Sequence, residues 1–143
     1  MNRLATQQGW TYGQFLQALC ELEQQQRYTS RVERYLKESG LPRSKSLASF
    51  DFNYCPSVNQ AQVLNLAQDS SWLQRGENLL LFGPSGVGKT HLASGISRSL
   101  IELGMRVKFT CATILVQQLQ QAKADLQLPH LLTKLELVRA AGD

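Results

Sequence analysis

The chain has 143 residues, of which 43% are hydrophobic, and a formal net charge of +4 at pH 7. This length suits one ordinary domain or a small domain with an appendage. We expect a soluble, cytoplasmic protein, because the sequence shows no signal peptide and no apolar run near the roughly 18 residues of a membrane-spanning helix. Three scattered cysteines, Cys20, Cys55 and Cys111, argue against a disulfide framework or a zinc site and predict reduced thiols.

The first predicted element is helical. Thr11 and Gln14 have the spacing of a capping box, in which each side chain accepts from the other residue's backbone N–H. Two groups of apolar residues follow at helical spacing, and the pattern stops at Gly40 with a proline shortly after it. Residues 11–39 therefore form one long helix or two shorter ones. The apolar groups are Phe15, Leu16, Leu19 and Leu22, and then Tyr28, Val32, Tyr35 and Leu36.

Positive charge is concentrated at the end of this helical region. Residues 27–45 hold six basic and two acidic side chains, a net charge of +4, whereas residues 1–26 sum to −1 and residues 46–143 to +1. Arg27, Arg31 and Arg34 fall within about 60° of one another on a helix, so they form one cationic stripe. The stripe suits contact with DNA phosphates, but a solvated helix face has the same pattern, and charge alone leaves both open.

Residues 41–56 lack periodicity, and we interpret them as a linker. Phe50 and Phe52 make its second half too apolar for a free linker. They are predicted to anchor it to the core, the alternative being that they flank an adenine pocket.

The next helix is predicted to start at a second capping box, Ser57 with Gln60, and to bury a stripe of Ala61, Leu64 and Ala67. A short turn at residues 71–75 follows, with Trp72 predicted in the core. Residues 78–82 contain four consecutive apolar residues without alternation. That pattern is typical of a central parallel strand covered on both faces.

Further along the chain, Leu92, Ile96, Leu100 and Leu103 indicate a helix that ends at Gly104, and residues 106–110 alternate like a second strand. Strand, helix and strand over about 33 residues form a βαβ unit, which implies a parallel sheet with a right-handed crossover. The fold class predicted from the sequence is therefore α/β, with helices on both faces of the sheet. Two more helices are expected, one capped by Thr113 and a short one from Pro129 to Leu135.

Residues 83–90, between the first predicted strand and its helix, match the P-loop pattern G-x-x-x-x-G-K-[ST] at Gly83, Gly88, Lys89 and Thr90. Glycines let the backbone wrap closely round phosphate oxygens, with the amides pointing inward, and the following helix adds its positive N-terminal end. Lys89 is predicted to reach the β- and γ-phosphates of ATP, and the Thr90 hydroxyl to bind Mg²⁺. The predicted cofactor-binding residues are Gly83, Pro84, Ser85, Gly86, Val87, Gly88, Lys89, Thr90 and His91.

ATP hydrolysis needs an acidic residue after a further apolar strand, together with a group that orients the attacking water. After Pro129 the only apolar stretch is residues 135–138, and Asp143 follows Arg-Ala-Ala-Gly rather than a buried strand. No catalytic residue is therefore assigned, and we expect the chain to bind ATP and to hydrolyse it poorly or not at all. His91, on the first turn of the helix, is expected to be a packing or capping residue rather than a catalytic one.

Residues 12–135 resemble the N-terminal half of the IstB-like ATP-binding proteins, helper ATPases of bacterial insertion sequences that are related to the DnaC helicase loader within the AAA+ group. The resemblance rests on the Arg-rich helical segment, Leu-Ala-Ser-Phe-Asp-Phe at residues 47–52, Pro-Ser-Val-Asn-Gln at residues 56–60, and residues 75–93 and 104–109. Within these, His-Leu-Ala at residues 91–93 follows the loop in a way that a generic P-loop does not require.

The resemblance implies an AAA+ domain that binds ATP, oligomerises on duplex DNA and presents the target site to a partner transposase. The family continues into a Walker B strand, sensor and arginine-finger elements, which this sequence lacks after Leu135, so hydrolysis and subunit coupling are not expected. We interpret residues 1–40 as a basic DNA- or partner-binding segment, 41–56 as a linker and 57–143 as a truncated nucleotide-binding domain. The alternatives are a DnaC-like helicase loader and a truncated gene product without a function of its own.

Overall fold

The computed structural model describes the backbone of residues 9–140 and the side chains of residues 9–135. The chain divides into two compact units, Met1–Arg34 and Tyr35–Asp143. None of the described helices is both long and apolar enough to cross a membrane. The predicted boundaries at residues 40 and 56 stay a prediction.

The first helix, α1, is continuous (Tyr12–Ser39). The sequence was compatible with one long helix or two shorter ones, and the structure has one. The predicted capping box is confirmed. The backbone N–H of Thr11 donates to Gln14 Oε1 at 2.8 Å, and that of Gln14 donates to Thr11 Oγ1 at 3.3 Å. Two amides at the helix start thus gain partners that the helix itself does not supply.

In the second unit, the end of α1 is held by Ser39, which is fully buried. Its hydroxyl donates to the Leu36 carbonyl at 2.7 Å and accepts from the Leu41 N–H at 3.2 Å. The Ser39 carbonyl in turn accepts from the N–H of Phe109 at 2.8 Å. Gly40 has a φ of +72° directly after the helix, as expected where a helix ends in a left-handed residue.

The remaining described elements of the second unit are short helices. They are a 3₁₀-helix (Phe52–Tyr54), α2 (Gln60–Gln68), α3 (Ser71–Gln74), α4 (Lys89–Glu102), α5 (Ala112–Ala124) and α6 (Leu128–Ala140). Of these, α2 packs against α4, and α5 against α6. The last helix begins one residue before the predicted Pro129.

The start of α2 differs from the prediction. The helix begins at Gln60 and is capped by Asn59, whose side-chain oxygen accepts from the N–H of Gln62 at 3.3 Å. The capping box predicted at Ser57 was wrong because residues 55–58 close a separate turn, in which the Val58 N–H donates to the Cys55 carbonyl at 3.0 Å.

The buried face of α2 was also predicted wrongly in part. Val63 and Ala67 are buried, whereas Ala61 and Leu64 are exposed. Val63, four residues before Ala67, lies on the buried face with it, in place of the predicted Ala61 and Leu64.

The hydrophobic core of this unit is built around α4, with Val63 of α2 and Trp72 of α3 packed on it. Trp72 is buried as predicted, and its indole N–H donates to the Leu66 carbonyl at 3.1 Å. The predicted anchoring of Phe50 and Phe52 is confirmed, since both pack against this cluster. The buried members from α4 are Leu92, Ile96 and Leu100.

Gly104 ends α4 as predicted. It has a φ of +97°, and its N–H donates to the Ile101 carbonyl at 2.9 Å. Leu103, predicted on the apolar stripe, is 51% exposed instead. The cap of α5 was also predicted wrongly, because the capping position is Cys111 and not Thr113.

The predicted α/β fold with a parallel sheet is contradicted by the structure, because none of the described residues forms a β-strand. Strands need a neighbour for their backbone N–H and C=O groups. Among the described residues no strand lies beside residues 106–110, and the Phe109 N–H bonds to the end of α1. In residues 78–82, Leu81 packs on the core while Leu80 and Phe82 are 70% and 87% exposed. Four consecutive apolar residues therefore did not indicate burial on both faces.

Candidate functional site

The 83–90 loop approaches α4 with a backbone that glycine makes possible. Gly86 and Gly88 have φ angles of +83° and +91°, in the left-handed region where a side chain is strained. Gly88 is the residue directly before α4, and its carbonyl accepts the Leu92 N–H at 2.9 Å. The loop thus feeds straight into the first turn of the helix.

The start of α4 is fixed in place by the core. Leu92 and Ile96 are 4% and 3% exposed, so the first two turns are anchored on their buried face. The unpaired N–H groups of a helix start favour negative charge, since they carry the positive end of the helix dipole. Gly86, Gly88 and Lys89 place a loop that carries a cation at this end, which is an arrangement suited to anionic oxygens.

Lys89, the first residue of α4, turns its side chain back onto the loop. Its ammonium donates to the carbonyl of Gly83 at 2.8 Å and to that of Pro84 at 2.6 Å. An ammonium has three N–H donors, so one remains for a further acceptor while the two loop contacts persist. Lys89 therefore both closes the loop and offers a positive charge beside it. Thr90, the next residue, is exposed.

Another part of the chain, which we call the 46–55 segment, lies against this loop. The Phe50 ring covers Gly88 so closely that a Cβ on the glycine would be 2.8 Å from Phe50 Cε2. The thiol of Cys55 donates to the Val87 carbonyl at 3.2 Å. The site therefore includes residues that lie more than 25 positions before the loop.

His91 connects the 46–55 segment to the first turn of α4. Its Nε2 lies 2.9 Å from the Ser46 carbonyl oxygen and 3.0 Å from Ser49 Oγ. Because a carbonyl only accepts, the contact with Ser46 requires the proton to be on Nε2. The ring also meets Phe50 edge to face, with centroids 5.4 Å apart. The structure thus places His91 in packing and hydrogen-bonding contacts, as the sequence predicted.

The sequence reasoning missed the contacts of Ser46, Ser49 and Cys55 with the loop region. Ser49 lies within residues 47–52, which carry the family resemblance, but nothing in that segment predicts contact with the loop region, and no motif marks Ser46 or Cys55. Only the apolar character of Phe50 and Phe52, within a stretch otherwise interpreted as linker, pointed to an anchored segment.

The arginine stripe belongs to the first compact unit. Arg27 Nε donates to Glu23 Oε1 at 2.8 Å, although the Arg27 side chain is 79% exposed. The guanidinium of Arg31 lies over the Tyr28 ring, 5.6 Å from its centroid. Arg27, Arg31 and Arg34 line one shallow surface groove, together with Glu23, Gln26 and Ser30. The helix therefore brings the three predicted arginines to one face.

A larger groove of about 880 Å³ lies elsewhere on the second unit. It is lined by residues of α5, α6 and the end of α1, and by Arg106, whose guanidinium pairs with Glu38 at 2.7 Å. No residue of the 83–90 loop lines it, so it is separate from the candidate site. In the described part of the chain, no group of three or more His, Cys, Asp or Glu residues is arranged to hold a metal ion.

Comparison with known proteins defines the class. A family model described as "IstB-like ATP binding protein" matches residues 1–140. The chain belongs to this family.

Relatives from several bacteria agree with that assignment. A protein named as an insertion-sequence ATP-binding protein of Sinorhizobium fredii is 48% identical over 132 residues, which cover 92% of this chain and 44% of the relative. The insertion sequence IS21 ATP-binding protein of Pseudomonas aeruginosa is 35% identical, over 90% of this chain and 48% of the relative. The insertion sequence IS5376 ATP-binding protein of Geobacillus stearothermophilus is also 35% identical, over 87% of this chain and 49% of the relative. The chain thus spans about half the length of the curated relatives it matches.

Proposed function

We propose that this chain binds ATP with Mg²⁺ at the 83–90 loop and acts as a helper protein in the transposition of an insertion sequence. The observation that carries the proposal is the loop itself, in which Gly86 and Gly88 take left-handed angles and lead Lys89 into the start of a core-anchored helix. The family and the names of the relatives, which describe ATP-binding proteins, support ATP as the ligand.

Each loop residue has a proposed part in holding the nucleotide. Lys89 would give its remaining N–H to the β- and γ-phosphates, and the exposed Thr90 hydroxyl would complete the coordination of Mg²⁺. The backbone amides of residues 84–88 would surround the phosphate oxygens. A magnesium ion supplies positive charge between the phosphates, and we assign no residue of this chain to hydrolysis.

The test is a titration of the intact chain with a fluorescent ATP analogue in the presence of Mg²⁺. Removing a charged hydrogen bond costs about 1.5–3 kcal/mol, so Lys89→Ala should weaken binding by roughly 10- to 150-fold. Lys123→Ala is the matched control, since Lys123 lies in the last turn of α5. Equal affinity of wild type and Lys89→Ala would overturn the role of Lys89.

The proposed partner of the arginine stripe is the phosphate backbone of duplex DNA. The contact between Arg27 and Glu23 is an exposed ion pair, and such pairs contribute only about 0–1 kcal/mol. A phosphate can therefore compete for Arg27 at little cost. The transposase of the same insertion sequence is the proposed protein partner, because the relatives are named as insertion-sequence proteins.

This part of the proposal is tested by the salt dependence of duplex binding, measured by fluorescence anisotropy. Each lost phosphate contact should reduce the slope of log K against log salt by about 0.9, so Arg27→Gln combined with Arg31→Gln should reduce it by roughly 2. Lys123→Gln is the control. A helicase loader, the second candidate, would instead retain a replicative helicase in a pull-down, and an unchanged DNA slope with helicase retention would favour it.

A further inference from the structure

We propose that His91 is a positioning residue that holds the 83–90 loop in its nucleotide-binding shape through the 46–55 segment. The inference rests on the proposed function, because it concerns how the same site is kept ready for phosphate. We call Ser46, Ser49, Phe50, Cys55 and His91 the loop brace. In this proposal none of the five touches the nucleotide, and this includes His91, which the sequence placed among the cofactor-binding residues.

The first attachment of the brace is the imidazole. His91 Nε2–H donates to the Ser46 carbonyl at 2.9 Å and lies 3.0 Å from Ser49 Oγ. The Ser49 hydroxyl donates to the same carbonyl at 3.0 Å. His91 is the third residue of α4, so these bonds tie the 46–55 segment to the turn that receives the loop.

The second attachment is Phe50. Its ring stands edge to face with His91, at 5.4 Å between centroids, and with Phe52, at 4.9 Å. On another side it meets Gly88, where a Cβ would be 2.8 Å away. The ring therefore fills the space beside the left-handed residue at the end of the loop and limits how that residue can move.

The third attachment is Cys55, whose thiol donates to the Val87 carbonyl at 3.2 Å. Val87 lies inside the loop, next to Gly88. Phe50 and Cys55 thus contact the loop at Gly88 and Val87. The Lys89 ammonium adds hydrogen bonds to the carbonyls of Gly83 and Pro84 at the start of the loop. A loop with these contacts presents its amides in one arrangement.

Holding the loop matters for affinity because a ligand that must first order a flexible loop binds more weakly. The apparent dissociation constant rises in inverse proportion to the fraction of molecules that are competent to bind. Loss of the imidazole should therefore weaken nucleotide binding without any lost contact to the nucleotide.

The test compares His91→Leu, which removes the donor, with His91→Gln, whose side-chain N–H₂ can replace Nε2–H. Loss of a hydrogen bond of ordinary strength corresponds to about a 3- to 10-fold loss of affinity for the fluorescent ATP analogue. We expect that loss for His91→Leu and recovery to within about twofold for His91→Gln. A residue that only stabilised the fold would lower the thermal midpoint of both variants and leave affinity at low temperature unchanged.

A second readout needs no nucleotide. Hydrogen–deuterium exchange of the amides of residues 84–88 should be faster in His91→Leu than in wild type, and close to wild type in His91→Gln. If His91→Leu does not fold, Cys55→Ala and Cys55→Ser are compared instead, because serine keeps a donor for the Val87 carbonyl and alanine does not. Faster exchange of residues 84–88 in Cys55→Ala alone would support the brace, and equal exchange in the two variants would contradict it.

The outcomes separate this inference from the proposed function. Wild-type affinity and exchange in His91→Leu, with Lys89→Ala still impaired, would overturn the brace alone. If the wild-type chain does not bind the ATP analogue, the proposed function fails, and the exchange comparison still decides whether the brace holds the loop.

Discussion

At the residue scale, both backbone conformation and packing restrict position 88 to glycine, whereas backbone conformation alone favours glycine at position 86. Both have left-handed φ angles, but a Cβ on Gly86 meets no described residue within 4 Å, whereas one on Gly88 meets the Phe50 ring at 2.8 Å. A left-handed angle costs a non-glycine residue about 1–2 kcal/mol, and forcing a packed ring to move costs about 1–3 kcal/mol more. Glycine at position 88 is therefore demanded by packing as well as by backbone conformation.

We expect Gly86→Ala to lower the free energy of unfolding by about 1–2 kcal/mol and Gly88→Ala by about 2–5 kcal/mol. Urea denaturation of the two variants is the measurement. The double variant Phe50→Ala/Gly88→Ala should show less than additive loss, since the ring that meets the new methyl group is gone. Equal costs for both glycines would contradict the close approach of Phe50.

Cys111 offers a pH-dependent prediction. The backbone N–H of Thr113, followed by that of Ile114, stabilises the thiolate, so the pKa of the Cys111 thiol lies below its usual value. The thiolate, which is the reactive form, should then appear at lower pH in the folded protein than in the unfolded one. The stabilisation is present above the unfolded pKa and is lost as the pH falls through the folded pKa.

The measurement is the rate of iodoacetamide labelling at Cys111 against pH, followed by peptide mass spectrometry. The control is the same cysteine in the chain unfolded in urea. We expect the native midpoint at the lower pH. A native midpoint equal to the urea midpoint, or above it, would show that the two amides do not stabilise the thiolate.

At the scale of the element, α4 contains a glycine in its interior that its own conformation does not require. Gly95 is buried, and a Cβ there would lie 2.9 Å from the backbone nitrogen of Leu47 and 2.8 Å from Leu47 Cδ2. Backbone atoms cannot move aside as the end of a side chain can. The absence of a side chain at Gly95 therefore lets the chain just ahead of Phe50 cross directly over the helix.

Gly95→Ala should be destabilising even though alanine is the better helix former. The gain in helix propensity is about 1 kcal/mol, and overpacking costs about 1–3 kcal/mol, so we expect a net loss of about 1 kcal/mol. Gly13→Ala is the control, because in the described part of the chain its Cβ would meet only Thr11 Oγ1, at 4.0 Å, in the first turn of α1. Thermal denaturation measures both, and a Gly95→Ala that is more stable than wild type would refute the close crossing.

Helices and their ends were predictable where the signals are local. The capping box at Thr11, the end of α4 at Gly104 and the buried positions Leu92, Ile96 and Leu100 depend on residues within a few positions of one another. The start of α2 was not predictable from local signals, because Asn59 and Ser57 are both good capping residues. Asn59 is the cap because Ser57 lies in the preceding turn. The brace was not predictable either, since Ser46 meets His91 and Cys55 meets Val87 only after folding.

At the scale of the whole molecule, the sequence predicted a sheet that the described residues do not form. An apolar run shows which segment tends to be buried, but a strand exists only if another segment supplies hydrogen bonds along its length. In the second unit, helices provide the core instead, with α4 at its centre and α2 and α3 packed round it. The family match is unaffected, because it follows from the residues themselves and not from the sheet.

The difference between a helical core and a buried strand can be measured at two adjacent residues. Leu81 packs on the core and Phe82 is 87% exposed. Phe82→Ala should therefore change the free energy of unfolding by less than about 0.5 kcal/mol, whereas Leu81→Ala should cost about 1–3 kcal/mol. A central strand would bury both faces and make both substitutions costly. Guanidinium denaturation distinguishes the two, and comparable losses at Leu81 and Phe82 would restore the sheet and contradict the arrangement described for this unit.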